Sequence, residues 1–187
     1  MNLEQSDEFI APITPLFIIP YLKLEVSNWK DKKKKLLELM DNCDLGTDPL
    51  MLTSFFGEES TNQNDSIQSI FEEELNNMKK SFGFSDCSIK HSWFQEQIKN
   101  MFHPIHEHCG SNVMMSSVCY IEYDPSIHTA TEFISPFMDS LSYSHMYFTP
   151  EVTEGTIIFF PANVLHQTLP SNSDKPRKIV SFNLEVK

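Results

Sequence analysis

Arginine is almost missing from this chain: Arg177 stands alone beside thirteen lysines. Cationic charge as a whole is short, with 14 Lys and Arg against 26 Asp and Glu and a net charge of −12. Nucleic acid and anionic lipid need a positive surface, so both are poor partners for such a chain. The one basic run, 32–35, lies beside leucines at helical spacing and reads as the wet face of a helix. No stretch approaches the ~20 consecutive apolar residues of a membrane span. Residues 1–8 are polar and acidic, the wrong charge for a signal peptide. The four cysteines, Cys43, Cys87, Cys109 and Cys119, form no CxxC pair, which excludes the common structural zinc site. Without a secretory signal they read as reduced thiols of a cytoplasmic protein.

What is present fits a single domain of 187 residues, long enough to bury a core without covalent staples. Residues 13–26 are apolar and carry two prolines, the pattern of an edge or entry strand. Ser27 and Asn28 offer an N-cap to a helix that runs through the lysines to Met40. The polar stretch 44–64, broken by Gly46, Pro49 and Gly57, reads as a long loop. A second helix is expected from an Asp65 cap to Gly83. Ile67, Ile70, Phe71, Leu75, Met78 and Phe82 form its apolar stripe. Beyond it come short β-like runs at 88–97, 114–123, 156–160, 164–169 and 177–186, with an irregular stretch between Pro125 and Pro150. The fold class is therefore α+β with a mainly β core, a sandwich or barrel carrying N-terminal helices. The helical part spans about 27–83 and the β core about 88–187.

Three of the seven histidines fall together in His103-Pro104-Ile105-His106-Glu107-His108. On a strand, residues two apart share a face, so His106 and His108 would converge while His103 and Glu107 would face away. Two convergent imidazoles begin a site for Zn, Fe, Ni or Cu. His166 ends the run Gly155-Thr156-Ile157-Ile158-Phe159-Phe160-Pro161-Ala162-Asn163-Val164-Leu165-His166. The turn-rich segment 170–176 should fold 164–169 back against 177–186 as a hairpin, bringing Arg177 near His166. Arg177, Ile179, Ser181 and Asn183 would share one face. A metal-bound imidazole beside a guanidinium and a serine suits a ligand with two anionic ends.

This order of HxH, a long interval, the Gly-Thr-Ile-Ile-Phe-Phe-Pro-Ala-Asn-Val-Leu-His strand and turn, then Arg177-Lys178-Ile179-Val180-Ser181-Phe182-Asn183, resembles the 2OG-Fe(II) oxygenases. The group it is most similar to is the small oxygenases common in marine bacteria and their phages. Ser92-Trp93-Phe94, Ser117-Val118-Cys119-Tyr120-Ile121 and Phe133-Ile134-Ser135-Pro136 extend the likeness, as does the strand and Lys-rich helix from Leu16 to Met40. It covers most of the chain, strongest over 91–184 and faint over 44–64. The resemblance implies a double-stranded β-helix, a jelly-roll or cupin-like barrel holding Fe(II) at its open end. His106 would be the first ligand and His166 the distal one. His108 occupies the place where most of the superfamily has Asp or Glu, which removes one negative charge from the iron; Glu107 would serve only if the strand twisted locally. The implied cosubstrate is 2-oxoglutarate, chelating iron through its 1-carboxylate and 2-keto oxygen, with Arg177 clamping the 5-carboxylate and Ser181 and Tyr120 as hydrogen-bond donors. With O2, it would yield succinate, CO2 and a hydroxylated substrate.

The resemblance leaves the primary substrate open among a protein side chain, a nucleobase and a small metabolite, the acidic surface arguing against nucleic acid. It implies a cytoplasmic enzyme, in the host cytoplasm if phage-encoded, with loops 44–64 and 125–150 contacting the substrate. His91, His103, His128, His145 and Cys109 are read as structural, and Phe133, Phe137, Tyr143 and Tyr147 as core. Two other readings remain: a cupin-like three-histidine metalloenzyme that does not use 2-oxoglutarate, and a metal-free β-sandwich binding module.

Overall fold

The structure, a computed structural model, describes residues 18–47, 50–57, 62–110 and 112–187. Strand β1 (Leu22–Glu25) leads into helix α1 (Trp29–Asp41). Two short strands, β2 (Gly46–Thr47) and β3 (Leu52–Thr53), precede helices α2 (Asn64–Ile70) and α3 (Glu72–Phe82). Eight strands follow: β4 (Cys87–Gln97), β5 (His103–His106), β6 (Met115–Glu122), β7 (Glu132–Asp139), β8 (Ser144–Phe148), β9 (Thr156–Pro161), β10 (His166–Thr168) and β11 (Arg177–Val186). They form two antiparallel sheets, a larger one ordered β1-β9-β6-β11-β4-β3-β2 and a smaller one ordered β5-β10-β7-β8. This is the expected β core with helices packed on it. No helix among the described residues is long and apolar enough to cross a membrane.

Strand alternation divides the core in two. On β11, Val180, Phe182 and Leu184 join Leu36, Met40, Ile67, Phe71, Leu75 and Met78 of the helical layer, outside the larger sheet. Ile179 points the other way, with Val118, Tyr120, Ile158 and Phe160, into the space facing the smaller sheet. Each fully buried side chain of this kind contributes about 1.5–3 kcal/mol of transfer free energy. The helices cover one face of the sheet and leave the other free to build a site.

Several expectations need correction. Residues 13–17 lie outside the described residues, and β1 covers only the end of the expected strand. The expected single helix 65–82 is two, separated at Phe71 (φ −100°, ψ 19°). The ring of Phe71 is buried 5.6 Å from that of Phe182, and Phe71 N–H to Ile67 O and Leu75 N–H to Phe71 O bonds carry the ladder across the break. Neither Asn28 nor Asp65 caps a helix through its side chain, and Gln63 holds the N-cap position of α2. Gly83 does close α3, in the left-handed conformation (φ 79°), with Phe84 N–H returning to Lys79 O. Lys32 leaves the wet face to pair with buried Glu74. The loop expected at 44–64 contributes β2 and β3 to the larger sheet through Leu52↔Glu96 and Thr53↔Gln95.

The stretch 125–150 is not irregular: it forms β7 and β8. Pro136 falls at a register shift between Ile134 and Met138, a bulge that tolerates proline and hides the strand's alternation. Of the aromatics expected in the core, Phe133 is buried, but Phe137, Tyr143 and Tyr147 are exposed along this ribbon. The expected hairpin between 164–169 and 177–186 does not form. β10 pairs with β5 and β7, whereas β11 pairs with β4 and β6, so the turn-rich segment crosses from one sheet to the other.

Candidate metal centre

The crossing places one histidine-bearing strand opposite another. His166 opens β10 and pairs in register with His106, the last residue of β5. His108 lies two residues beyond β5, where its backbone N–H donates to Ala162 O in the turn after β9 (2.9 Å). The ligand atoms of His106, His108 and His166 all lie within 4.8 Å of one another. His106 and His108, two residues apart, thus converge as expected, with Glu107 between them turned outward. Glu107 is exposed and accepts a hydrogen bond from Cys109 Sγ.

Two of the rings are oriented by backbone. His106 Nδ1 donates to Pro104 O (2.7 Å) and His166 Nδ1 to Val164 O (2.9 Å). A carbonyl oxygen can only accept, so each proton sits on Nδ1 and each Nε2 lone pair is free, the arrangement of a metal-ligating imidazole. Burial, the largest cause, lowers the pKa of all three histidines, His108 to about 3 and His166 to about 4, with neighbouring imidazoles adding to it in both. Neutral imidazole is the form that binds metal. The donor set fits a transition-metal ion.

His103 does not face away. Its ring stacks on that of His106 with centroids 3.7 Å apart and planes at 21°. Two residues of β10, His166 and Thr168, oppose His106 and His103, which are three residues apart. The extra residue in β5 is a bulge that resets alternation and puts both histidines on the inner face. His103 Nδ1 meets Gln95 Nε2 at 3.2 Å, and burial foremost, then the other three histidines and Arg177, push its pKa down to about 2. The remaining histidines lie outside this cluster; His128, for example, accepts from Asp124 N–H and reaches Lys175 O.

Strand β4 supplies the opposite wall. Trp93, Gln95 and Gln97 alternate onto the inner face and pair with Ser181, Ile179 and Arg177 of β11. Trp93 lies 5.2 Å from the His108 ring, so the first pair marks the histidine end and the third marks the far end. A cavity of about 10 Å³ remains among Trp93, Gln95, the four histidines, Thr168 and Ser181. That volume suits an ion or a single water; a five-carbon diacid enters only as the side chains part.

Arg177 stands two residues beyond Ile179, with 1% of its surface exposed. Its Nη1 donates to Gln97 Oε1 (2.9 Å), while Nε and Nη2 have no hydrogen-bond partner among the described residues. These two nitrogens form the edge of the guanidinium that takes a carboxylate side-on. The Tyr120 ring lies 5.3 Å from Cζ, and the Tyr120 hydroxyl donates to Thr131 Oγ1 while accepting from Thr131 N–H. Burial lowers the Arg177 pKa; Tyr120 and Tyr123 oppose the shift. His103, Gln95, Gln97 and Trp93 are the site residues that motif reading missed. The alternation Trp93-x-Gln95-x-Gln97, two amides on the inner face of a β-run, was the available signal for three of them.

Residues 91–183 match the family described as "Putative 2OG-Fe(II) oxygenase". No curated protein is similar enough in sequence to count as a relative. Among solved structures, the viral collagen prolyl hydroxylase of Paramecium Bursaria Chlorella virus-1, in its 2OG complex, shares 15% identity, covering 89% of this chain and 96% of its own, at a TM-score of 0.57. A Pseudomonas putida prolyl-4-hydroxylase shares 12% identity over 89% of this chain and 93% of its own, at 0.59. EctD from S. alaskensis with bound Fe shares 13% over 89% and 73%, at 0.63. Identities this low show the fold alone, and all three share it. The matched stretch holds every strand of the smaller sheet and both walls of the histidine cavity, and through it the chain belongs to the 2OG-Fe(II) oxygenases, a family that works with Fe(II), 2-oxoglutarate and O2.

Proposed function

We propose that the whole chain, 1–187, acts as one dioxygenase domain that hydroxylates its substrate at the expense of 2-oxoglutarate. The observation that carries this reading is the buried, half-satisfied guanidinium of Arg177 beyond a cluster of three neutral imidazoles. An ionised side chain buried without a counter-charge costs several kcal/mol, and a carboxylate on its open edge removes that cost. A cupin-like centre without 2-oxoglutarate gives Arg177 nothing to do.

In this reading His106, His108 and His166 hold the metal through nitrogen. Backbone carbonyls fix His106 and His166 so that the ligating atoms need no reorientation. Because all three ligands are neutral, the protein leaves the charge of a divalent ion uncancelled, and the dianionic cosubstrate is drawn to supply it. Arg177 grips the far carboxylate with Nε and Nη2. Gln97 keeps the guanidinium from rotating, and Tyr120 supports it on a ring face. Ser181 offers a hydroxyl beside the histidines. Phe133 and Phe160, whose rings lie 6.0 and 4.9 Å from that of His166, keep water from that side. When bound, metal, 2-oxoglutarate and O2 supply the oxidation: one oxygen atom goes to a substrate C–H bond and the other into succinate as CO2 leaves. The primary substrate is then a protein side chain or a small metabolite reached through the segments 44–64 and 125–150.

The test is turnover by tag-free protein loaded with Fe(II). The expected result is succinate formed from 2-oxoglutarate in proportion to bound iron, even without primary substrate. Bound iron without succinate would favour the cupin-like centre, and failure to bind iron would favour a binding module.

A further inference from the structure

We infer that His103 is a specificity-determining residue for the cosubstrate, a neutral ring whose Nε2–H donates to the oxygens at the metal end of the diacid; this rests on the 2-oxoglutarate reading of the site. His103 cannot share a metal with His106. Rings stacked 3.7 Å apart and nearly parallel keep their in-plane lone pairs in separate planes, and the ligand atoms that lie within 4.8 Å of one another belong to His106, His108 and His166, not to His103.

Its tautomer is set by Gln95. That amide is 97% buried and sits 3.4 Å from Met51 Sδ and 3.2 Å from His103 Nδ1, both through Nε2. The thioether sulfur only accepts, so it holds the NH2 end of the amide on this side. Both amide hydrogens are then directed, one to sulfur and one to the ring. Nδ1 must accept, which leaves the ring proton on Nε2.

Position gives that proton its use. The Gln95–Ile179 pair lies between the Trp93–Ser181 pair at the histidine end and the Gln97–Arg177 pair at the far end. A diacid bridging the metal and Arg177 therefore passes the His103 edge, and His103 lines the same cavity as the three ligands. An N–H there matches carboxylate or keto oxygen and has no match in a plain hydrocarbon chain. Stacking adds a second service, since the His103 ring limits how far the His106 plane can turn.

The experiment is an anaerobic calorimetric titration, first of Fe(II) and then of 2-oxoglutarate, into the parent, His103→Phe and His103→Gln. Phenylalanine keeps a flat ring against His106 but offers no donor; glutamine restores an amide N–H at similar reach. All three are expected to bind Fe(II) within about threefold. His103→Phe should bind 2-oxoglutarate roughly 10- to 100-fold more weakly, the worth of a hydrogen bond to a charged group, and His103→Gln should recover most of the loss. Equal 2-oxoglutarate affinity in parent and His103→Phe overturns the inference and leaves the proposed function standing. Loss of Fe(II) from His103→Phe also overturns it, by making His103 part of the metal set. If the parent itself takes iron and no 2-oxoglutarate, the proposed function falls and the inference with it.

Discussion

Among the described residues the Arg177 guanidinium donates to the neutral amide oxygen of Gln97, with the Tyr120 side chain beside it. Composition alone raised the question of why a chain built on lysine keeps a single guanidinium, and the burial of that residue answers it. His106 and His166 were legible from their motifs. His103 was not, because a one-residue bulge reverses the two-residue alternation from which its direction was inferred. Gln97 lies on a legible alternation, but its partner, 80 residues away, is not readable from that pattern. The histidine cluster makes the metal-free protein sensitive to acid. Folding holds His103 at about 2, His108 at about 3 and His166 at about 4, against 6.5 in the unfolded chain. As pH falls below 6.5 the unfolded chain binds more protons than the folded one, so stability is lost progressively down to those values. Each histidine that differs by a full proton contributes a slope of about 1.4 kcal/mol per pH unit. Thermal melts in a chelator at pH 7.5 and 5.5 measure this, with a clear drop expected at the lower pH. Equal melting temperatures would mean that the cluster is not held neutral.

Among the elements, the strands at 88–97, 114–123, 156–160 and 177–186 could be read because each is a short run rich in apolar, β-branched and aromatic residues. β7 could not, because Pro136 and its bulge erase the period, nor β8, whose residues are all exposed. The partner of β10 was misassigned for another reason: a turn-rich segment signals a reversal but not which sheet receives the chain. The helices were found but their joints were not. Ser27, expected as part of a cap, donates through both N–H and Oγ to Glu74 Oε1, at 2.9 and 3.0 Å. Lys32 Nζ reaches Glu74 Oε2 at 2.7 Å, so one carboxylate, 2% exposed, ties α1 and the end of β1 to α3. Replacing Glu74 by Ala strands the ammonium and an N–H in the helical layer. The expected loss is about 2–4 kcal/mol, below that of a fully buried pair because Lys32 stays partly exposed. Urea unfolding of the parent and Glu74→Ala checks it, and a difference within experimental error would show that water reaches the joint freely.

The molecule as a whole divides its work between two faces of one sheet. Helices cover the outer face with an apolar layer, and the inner face carries Trp93, Gln95, Gln97, Ser181 and Arg177 toward the smaller sheet. A β core with N-terminal helices was readable from the order of elements; the placement of β11 between β4 and β6 was not, since local patterns do not encode distant pairings. That placement is what sets Arg177 beyond the histidine cavity. The most direct test is an anaerobic titration of 2-oxoglutarate into the Fe(II) protein, followed by metal-to-ligand charge-transfer absorbance, for the parent, Arg177→Ala and Arg177→Lys. Losing one partner of a desolvated charge pair costs ~2–5 kcal/mol, or roughly 30- to several-thousand-fold in affinity. The parent should titrate to a saturable band, Arg177→Ala should keep its iron and lose affinity by that factor, and Arg177→Lys should fall between, an ammonium lacking the fork. Parent and Arg177→Ala titrating alike would contradict the account.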